Sequence, residues 1–80
     1  MITELAGRSR VVGVKQTRRA LESGRAERVF LAADADPKGT GPIAALCGGK
    51  GIPVEGDCSM KELGRACGIA VGCAVAAVLR

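Results

Sequence analysis

The residues best equipped for chemistry run consecutively: Gly13, Val14, Lys15, Gln16, Thr17, Arg18, Arg19 and Ala20. A glycine at a helix start lets backbone amides approach a polyanion, and cations beside a long amide can neutralise phosphates and reach base edges. Charge is concentrated here. From Arg8 to Arg19 there are basic residues at Arg8, Arg10, Lys15, Arg18 and Arg19 and no acidic residue. Residues 1–28 carry the whole formal net charge of +4, because acids and bases balance in the rest of the chain. That distribution favours an anionic partner more specifically than the overall charge does.

The other chemistry-bearing groups have simpler readings. Asp34 and Asp36 form a close carboxylate pair, and Asp-x-Asp-Pro after an apolar run is a turn and helix-entry pattern. Gly48-Gly49-Lys50-Gly51 lacks the spacing of a phosphate-binding loop, and it precedes a strand, so it reads as a helix end and turn. The chain has no His. Cys47, Cys58, Cys67 and Cys73 form no CxxC pair, so they are expected to be reduced, buried, small hydrophobic residues. No nucleophile–base pair can be named, and neither catalysis, a metal nor a cofactor is expected. Phe30 is the only aromatic residue, which argues against proteins that bind nucleic acid by stacking bases on rings.

The elements that must position these residues fit one domain of 80 residues, with a core too small to enclose a large cavity. A helix is expected from Thr3 to Arg8, then a brief strand over residues 11–14. Thr17, Ala20, Leu21 and Gly24 recur at helical spacing in a helix of about Lys15 to Ser23, which Gly24 ends. At about 100° per residue, Lys15, Gln16 and Arg19 fall on the opposite arc, with Arg18 at its flank. Residues 28–33 read as a central strand, 42–49 as a glycine-rich helix and 52–54 as a short strand. Ser59 and Glu62 form a capping box for a helix closing at Gly68, and residues 71–79 read as the last strand. This alternation gives an α/β class. The apolar run from Ile69 to Leu79 is much shorter than a membrane span, and the first twelve residues lack the apolar stretch of a signal peptide. A cytoplasmic location without membrane association is expected.

Taken in order, the 13–20 segment, Ala33-Asp34-Ala35-Asp36-Pro37, Ile52-Pro53-Val54 and the run from Ser59 to Ile69 resemble the "seven-Ae" family of ribosomal proteins, specifically its short bacterial paralogues. The likeness covers about residues 10–79. It implies a three-layer α-β-α sandwich around a four-stranded mixed sheet. It also implies binding to kink-turns, internal loops in which tandem sheared G·A pairs bend an RNA duplex. In that family a helix start enters the widened major groove. Archaeal members place Asn-Glu-x-x-Lys there, and the matching positions here are Lys15, Gln16 and Arg19, preceded by Gly13 and Val14. An apolar loop of the family maps onto Ile69, Ala70 and Val71 and would cover flipped-out nucleotides. Arg18, with Arg8, Arg10, Lys38, Lys61 and Arg65, would then serve as phosphate contacts.

The resemblance thus implies a monomeric RNA-binding protein whose partner is a kink-turn in ribosomal RNA or an mRNA leader, with the ribosome itself as a further partner. The rival reading is a protein-interaction or scaffold module on the same fold. A protein-only interface has no need of the all-basic stretch ending at Arg19.

Overall fold

The computed structural model describes residues 9–80, so the expected helix over residues 3–8, and Arg8 with it, lie outside the described residues. Seven elements follow one another: β1 (Arg10–Val12), α1 (Val14–Glu22), β2 (Ala26–Ala32), α2 (Pro37–Lys50), β3 (Val54–Cys58), α3 (Met60–Ala66) and β4 (Val75–Leu79). The four strands form one sheet in the order β1-β4-β2-β3. β4 runs antiparallel to both β1 and β2, whereas β2 and β3 are parallel, joined by the crossover helix α2. The sheet is therefore mixed, as the family resemblance implies.

Alternation along the two inner strands sorts their side chains into two cores. Val29 on β2 with Val75 and Ala77 on β4 meet Ala20, Leu21, Ile43 and Cys47 of α1 and α2. Phe30 and Ala32 with Ala76 and Val78 point the other way, onto Leu63 and Cys67 of α3. Helices thus cover both faces, giving three layers, and α3 alone among the described helices covers its side.

Several element bounds differ from the sequence expectation. α2 begins at Pro37, five residues before the expected start. Asp36 caps it by accepting a hydrogen bond from the Lys38 N–H (2.9 Å), and Pro37 supplies a preset φ at the first helical position. Pro42 lies inside the helix, where it removes one backbone donor. The capped entry, buried Ile43 and Cys47, and the left-handed Gly51 at the exit (φ +68°) keep the helix continuous across it. β3 starts at Val54 and reaches Cys58; of the expected segment 52–54, Pro53 contributes only its carbonyl, which accepts from the Val29 N–H at 3.0 Å. The last strand begins at Val75, and residues 71–74 belong to a loop.

The four cysteines are free and buried, as their scattered spacing implied. Burial pushes the Cys67 thiol up to about 11, helped by the neighbouring Cys73 and opposed by Arg10. At neutral pH Cys67 is therefore a thiol, a poor nucleophile and a poor metal ligand. Burial also raises Cys47 and Cys58.

α2 contains glycines that its packing does not require. A Cβ placed on Gly41 or Gly48 would meet nothing within 4 Å, and neither residue has a positive φ. Gly48→Ala is expected to stabilise the fold by about 0.5–1 kcal/mol, because the unfolded chain loses freedom at no cost in contacts. A thermal melt should show a rise of a few degrees. An unchanged or lowered midpoint would mean that something outside the described packing occupies that face.

Candidate nucleic-acid interface

The interface begins with the turn from β1 into α1. Gly13 has φ +97°, which strains any residue with a side chain, and its N–H donates to the Val75 carbonyl at 2.8 Å. Its own amide is therefore occupied within the fold. The amides of Val14, Lys15 and Gln16 come next. They lie in the first turn, where no intrahelical acceptor exists. Gly13 offers no capping side chain, and no acidic residue stands in that turn. The other two described helices begin differently. Asp36 caps α2, and Ser59 with Glu62 closes a reciprocal box on α3. Asp34 adds a further acceptor on α3, taking the Met60 N–H at 2.8 Å. Among the described helices, the starts of α2 and α3 are thus satisfied by side chains, and that of α1 presents a partial positive charge with donors left open by the described residues.

Side chains on α1 divide as the helical period requires. Thr17, Ala20 and Leu21 are buried, while Lys15, Gln16, Arg18 and Arg19 are exposed. The Thr17 hydroxyl finds no hydrogen-bond partner among the described residues. Val14 is half-buried against the α1/α2 core, so its side chain fastens the helix start and leaves only its amide for a ligand. Among the described residues, Lys15, Gln16, Arg18 and Arg19 engage no partner through their side chains.

The second component is the loop between α3 and β4. Antiparallel pairing sets Val12 opposite Ala76, which brings the end of β1 beside the start of β4. The Gly13–Val75 hydrogen bond closes that junction. The end of the loop over residues 68–74 consequently meets the start of α1 at one end of the sheet, although the two are far apart in sequence. Within the loop, Ile69 is half-buried and packs against the α3 core, Ala70 is exposed and Val71 is 70% exposed. The expected apolar trio therefore splits into one anchor and two outward residues. An open depression of about 530 Å³ lies beside them, bordered by Asp34, Met60, Lys61, Arg65 and the loop.

Sequence reasoning missed what holds this loop. The Ile69 N–H donates to the Gly64 carbonyl and the Cys73 N–H to the Met60 carbonyl, each at 3.0 Å. The loop is laid along α3, and Gly64 lies directly beneath Val71. Asp34, read from sequence as local turn chemistry, acts across the fold on α3.

The remaining cations separate into two groups. Lys38 and Lys61 are exposed on the opening turns of α2 and α3, and Arg65 is exposed on the last turn of α3. Arg10 differs: its guanidinium donates to the Cys67 carbonyl at 2.9 Å, tying β1 to the far end of α3. That bond gives Arg10 a structural task within the fold. Among the described residues, no group of three or more His, Cys, Asp or Glu side chains is placed to hold a metal ion, and no helix is long and apolar enough to cross a membrane.

Comparison with known proteins matches this arrangement. Residues 4–80 fit the model of the ribosomal protein L7Ae/L30e/S12e/Gadd45 family. An RNA-binding protein of Geobacillus sp. (strain WCH70) is 46% identical over 70 residues, covering 88% of this chain and 85% of its own. RNA-binding protein YbxF of Geobacillus stearothermophilus matches at the same 46%, with 88% and 85% covered. Among solved structures, the Giardia lamblia 15.5kD RNA binding protein superposes with a TM-score of 0.88 at 31% identity, over 99% of this chain and 68% of that one. A Bacillus halodurans protein gives 0.87 at 26% identity, with 99% and 83% covered. With its mixed four-stranded sheet, its uncapped α1 start and relatives matched over most of their length, this chain belongs to the ribosomal protein L7Ae/L30e/S12e/Gadd45 family.

Proposed function

We propose that this chain binds structured RNA without enzymatic activity and that its target is the kink-turn. One observation carries the reading: an uncapped helix start bearing exposed cations and a loop with exposed apolar residues meet at one end of the sheet. The names of the related RNA-binding proteins support it.

The chemistry of the two halves is complementary. An ordinary A-form major groove is too narrow for side chains, so base reading there requires a distortion. Sheared G·A pairs widen the groove at a kink-turn. Lys15 and Arg19 then donate to guanine O6 and N7, and Gln16 supplies both a donor and an acceptor. The open amides of Val14, Lys15 and Gln16 suit a phosphate oxygen. On the loop, Ala70 and Val71 cover bases that the kink has unstacked, and Ile69 supports them from behind. Arg18, Lys38, Lys61 and Arg65 supply phosphate contacts. The chain acts as a monomer in a bacterial cytoplasm, on ribosomal RNA or an mRNA leader.

The test is a fluorescence titration of an end-labelled kink-turn duplex. Bending is expected with the intact motif and is expected to disappear when the G·A pairs become Watson–Crick pairs. Affinity should fall linearly with salt on logarithmic axes, as phosphate contacts release counterions. Equal binding to both RNAs would remove the kink-turn from the reading. No binding to either would favour a protein-interaction module on this fold.

A further inference from the structure

We propose that Gly64 and Gly72 are positioning residues for recognition: their missing side chains let the loop lie flat on α3 and hold Val71 outward against an unstacked base. This rests on the RNA-binding reading above and adds to it the device that sets the apolar half of the site.

Gly64 is a buried residue within α3, where glycine is disfavoured relative to alanine. Its conformation does not explain it, since its φ is not positive. Close approach does. A Cβ on Gly64 would overlap the Val71 carbonyl oxygen, and it would stand 3.2 Å from the Val71 carbonyl carbon and 3.3 Å from the Gly72 Cα. These are backbone atoms, which a rotamer change cannot move aside. A Cβ on Gly72 would lie 3.3 Å from the Met60 Cβ, a milder crowding from the opposite side of the contact. The two glycines therefore form a seat between helix and loop.

Hydrogen bonds fasten the loop at both ends of that seat. Gly68, at φ +76°, ends α3 by donating its N–H to the Arg65 carbonyl at 3.0 Å. The Ile69 N–H then returns to Gly64, and the Cys73 N–H to Met60. Between these fixed points Val71 stays 70% exposed, one of two large hydrophobic residues so exposed among the described ones. A loop ordered before binding gives up little entropy when it meets its ligand. The seat thus presets an apolar contact that a looser loop would have to form on the RNA.

The experiment compares wild type, Gly64→Ala and Gly72→Ala on two kink-turns, one intact and one with abasic sites at the unpaired loop nucleotides. Amide exchange at Ile69 and Cys73 is followed in parallel. Gly64→Ala is expected to bind the intact RNA about tenfold more weakly, the scale set by losing one buried Val contact. It should lose little further affinity on the abasic RNA, and both amides should exchange faster. Gly72→Ala should show the same pattern at roughly threefold. Unchanged affinity of Gly64→Ala for the intact RNA, or an equal loss on both RNAs, overturns the inference. If Gly64→Ala does not fold, Gly72→Ala decides by the same criteria. Wild type that ignores the abasic sites and the G·A pairs would overturn the underlying reading, whereas faster exchange without loss of discrimination overturns only the positioning role.

Discussion

Arg19→Ala is expected to weaken binding to a kink-turn by roughly five- to 150-fold, the range set by a bidentate base contact worth about 1–3 kcal/mol. Its effect on an unbroken duplex should be much smaller. The difference follows from where Arg19 sits. It lies on the solvent arc of α1, one turn beyond Lys15, on a helix whose opposite face is locked by Thr17, Ala20 and Leu21. Its reach is therefore set by the helix, and a base contact made there exists only where the groove is open. Gln16→Ala removes neutral hydrogen bonds and should cost less, about 0.5–1.5 kcal/mol, with the same preference for the kinked RNA. Arg18, at the flank, gives the contrast. Its loss should weaken all RNAs alike and lower the salt slope by about one. Affinities measured by titration at two or more salt concentrations separate these cases. An Arg19→Ala variant that loses the same factor on both RNAs would show that Arg19 meets phosphate only.

Much of α1 was legible because a single helix carries its own evidence. The spacing of Thr17, Ala20 and Leu21 fixes the buried face, and Gly13 announces a start with no side-chain cap. The capping box of Ser59 and Glu62 is equally local, and it is present as expected. What depends on distant pairing was not legible. β3 includes Gly56 and Asp57, which resemble a turn, and only pairing with β2 makes that segment a strand. Residues 71–74 are as apolar as the strand that follows, yet the Cys73–Met60 hydrogen bond diverts them along α3. Pro37 is the actual entry to α2, and Pro42, where the expected helix starts, lies inside it. The site itself shows the same division. Its basic half is local, whereas its union with residues 69–71 requires β1 to lie beside β4. Family resemblance anticipated that union, and residue patterns alone did not.

Phe30→Ala is expected to destabilise the protein by about 3–5 kcal/mol, the usual cost of emptying a large aromatic site. A domain of 80 residues holds only about 4–12 kcal/mol in total, so the loss decides whether it folds at all. Phe30 is 1% exposed and is the largest of the fully buried side chains. It stands on β2 opposite Ala76, and its ring shares one core with Leu63, Cys67 and Cys73. The partner across the strand is small and cannot fill the space. α3 is the sole described helix on that face, and the loop over residues 68–74 rests on α3. A cavity there undermines the platform of the loop, while α1 keeps its own core with Val29 and Ala77 on the other side. A thermal melt should fall by at least about 12 °C. At low temperature, the folded fraction should lose amide protection at Ile69 and Cys73 before it loses protection in α1. Val54→Ala is the control, since Val54 is 41% exposed at the start of an edge strand and should shift stability by no more than about 0.5 kcal/mol. A Phe30→Ala loss below about 1 kcal/mol, or one that loosens α1 first, would show that the two cores do not bear their helices separately.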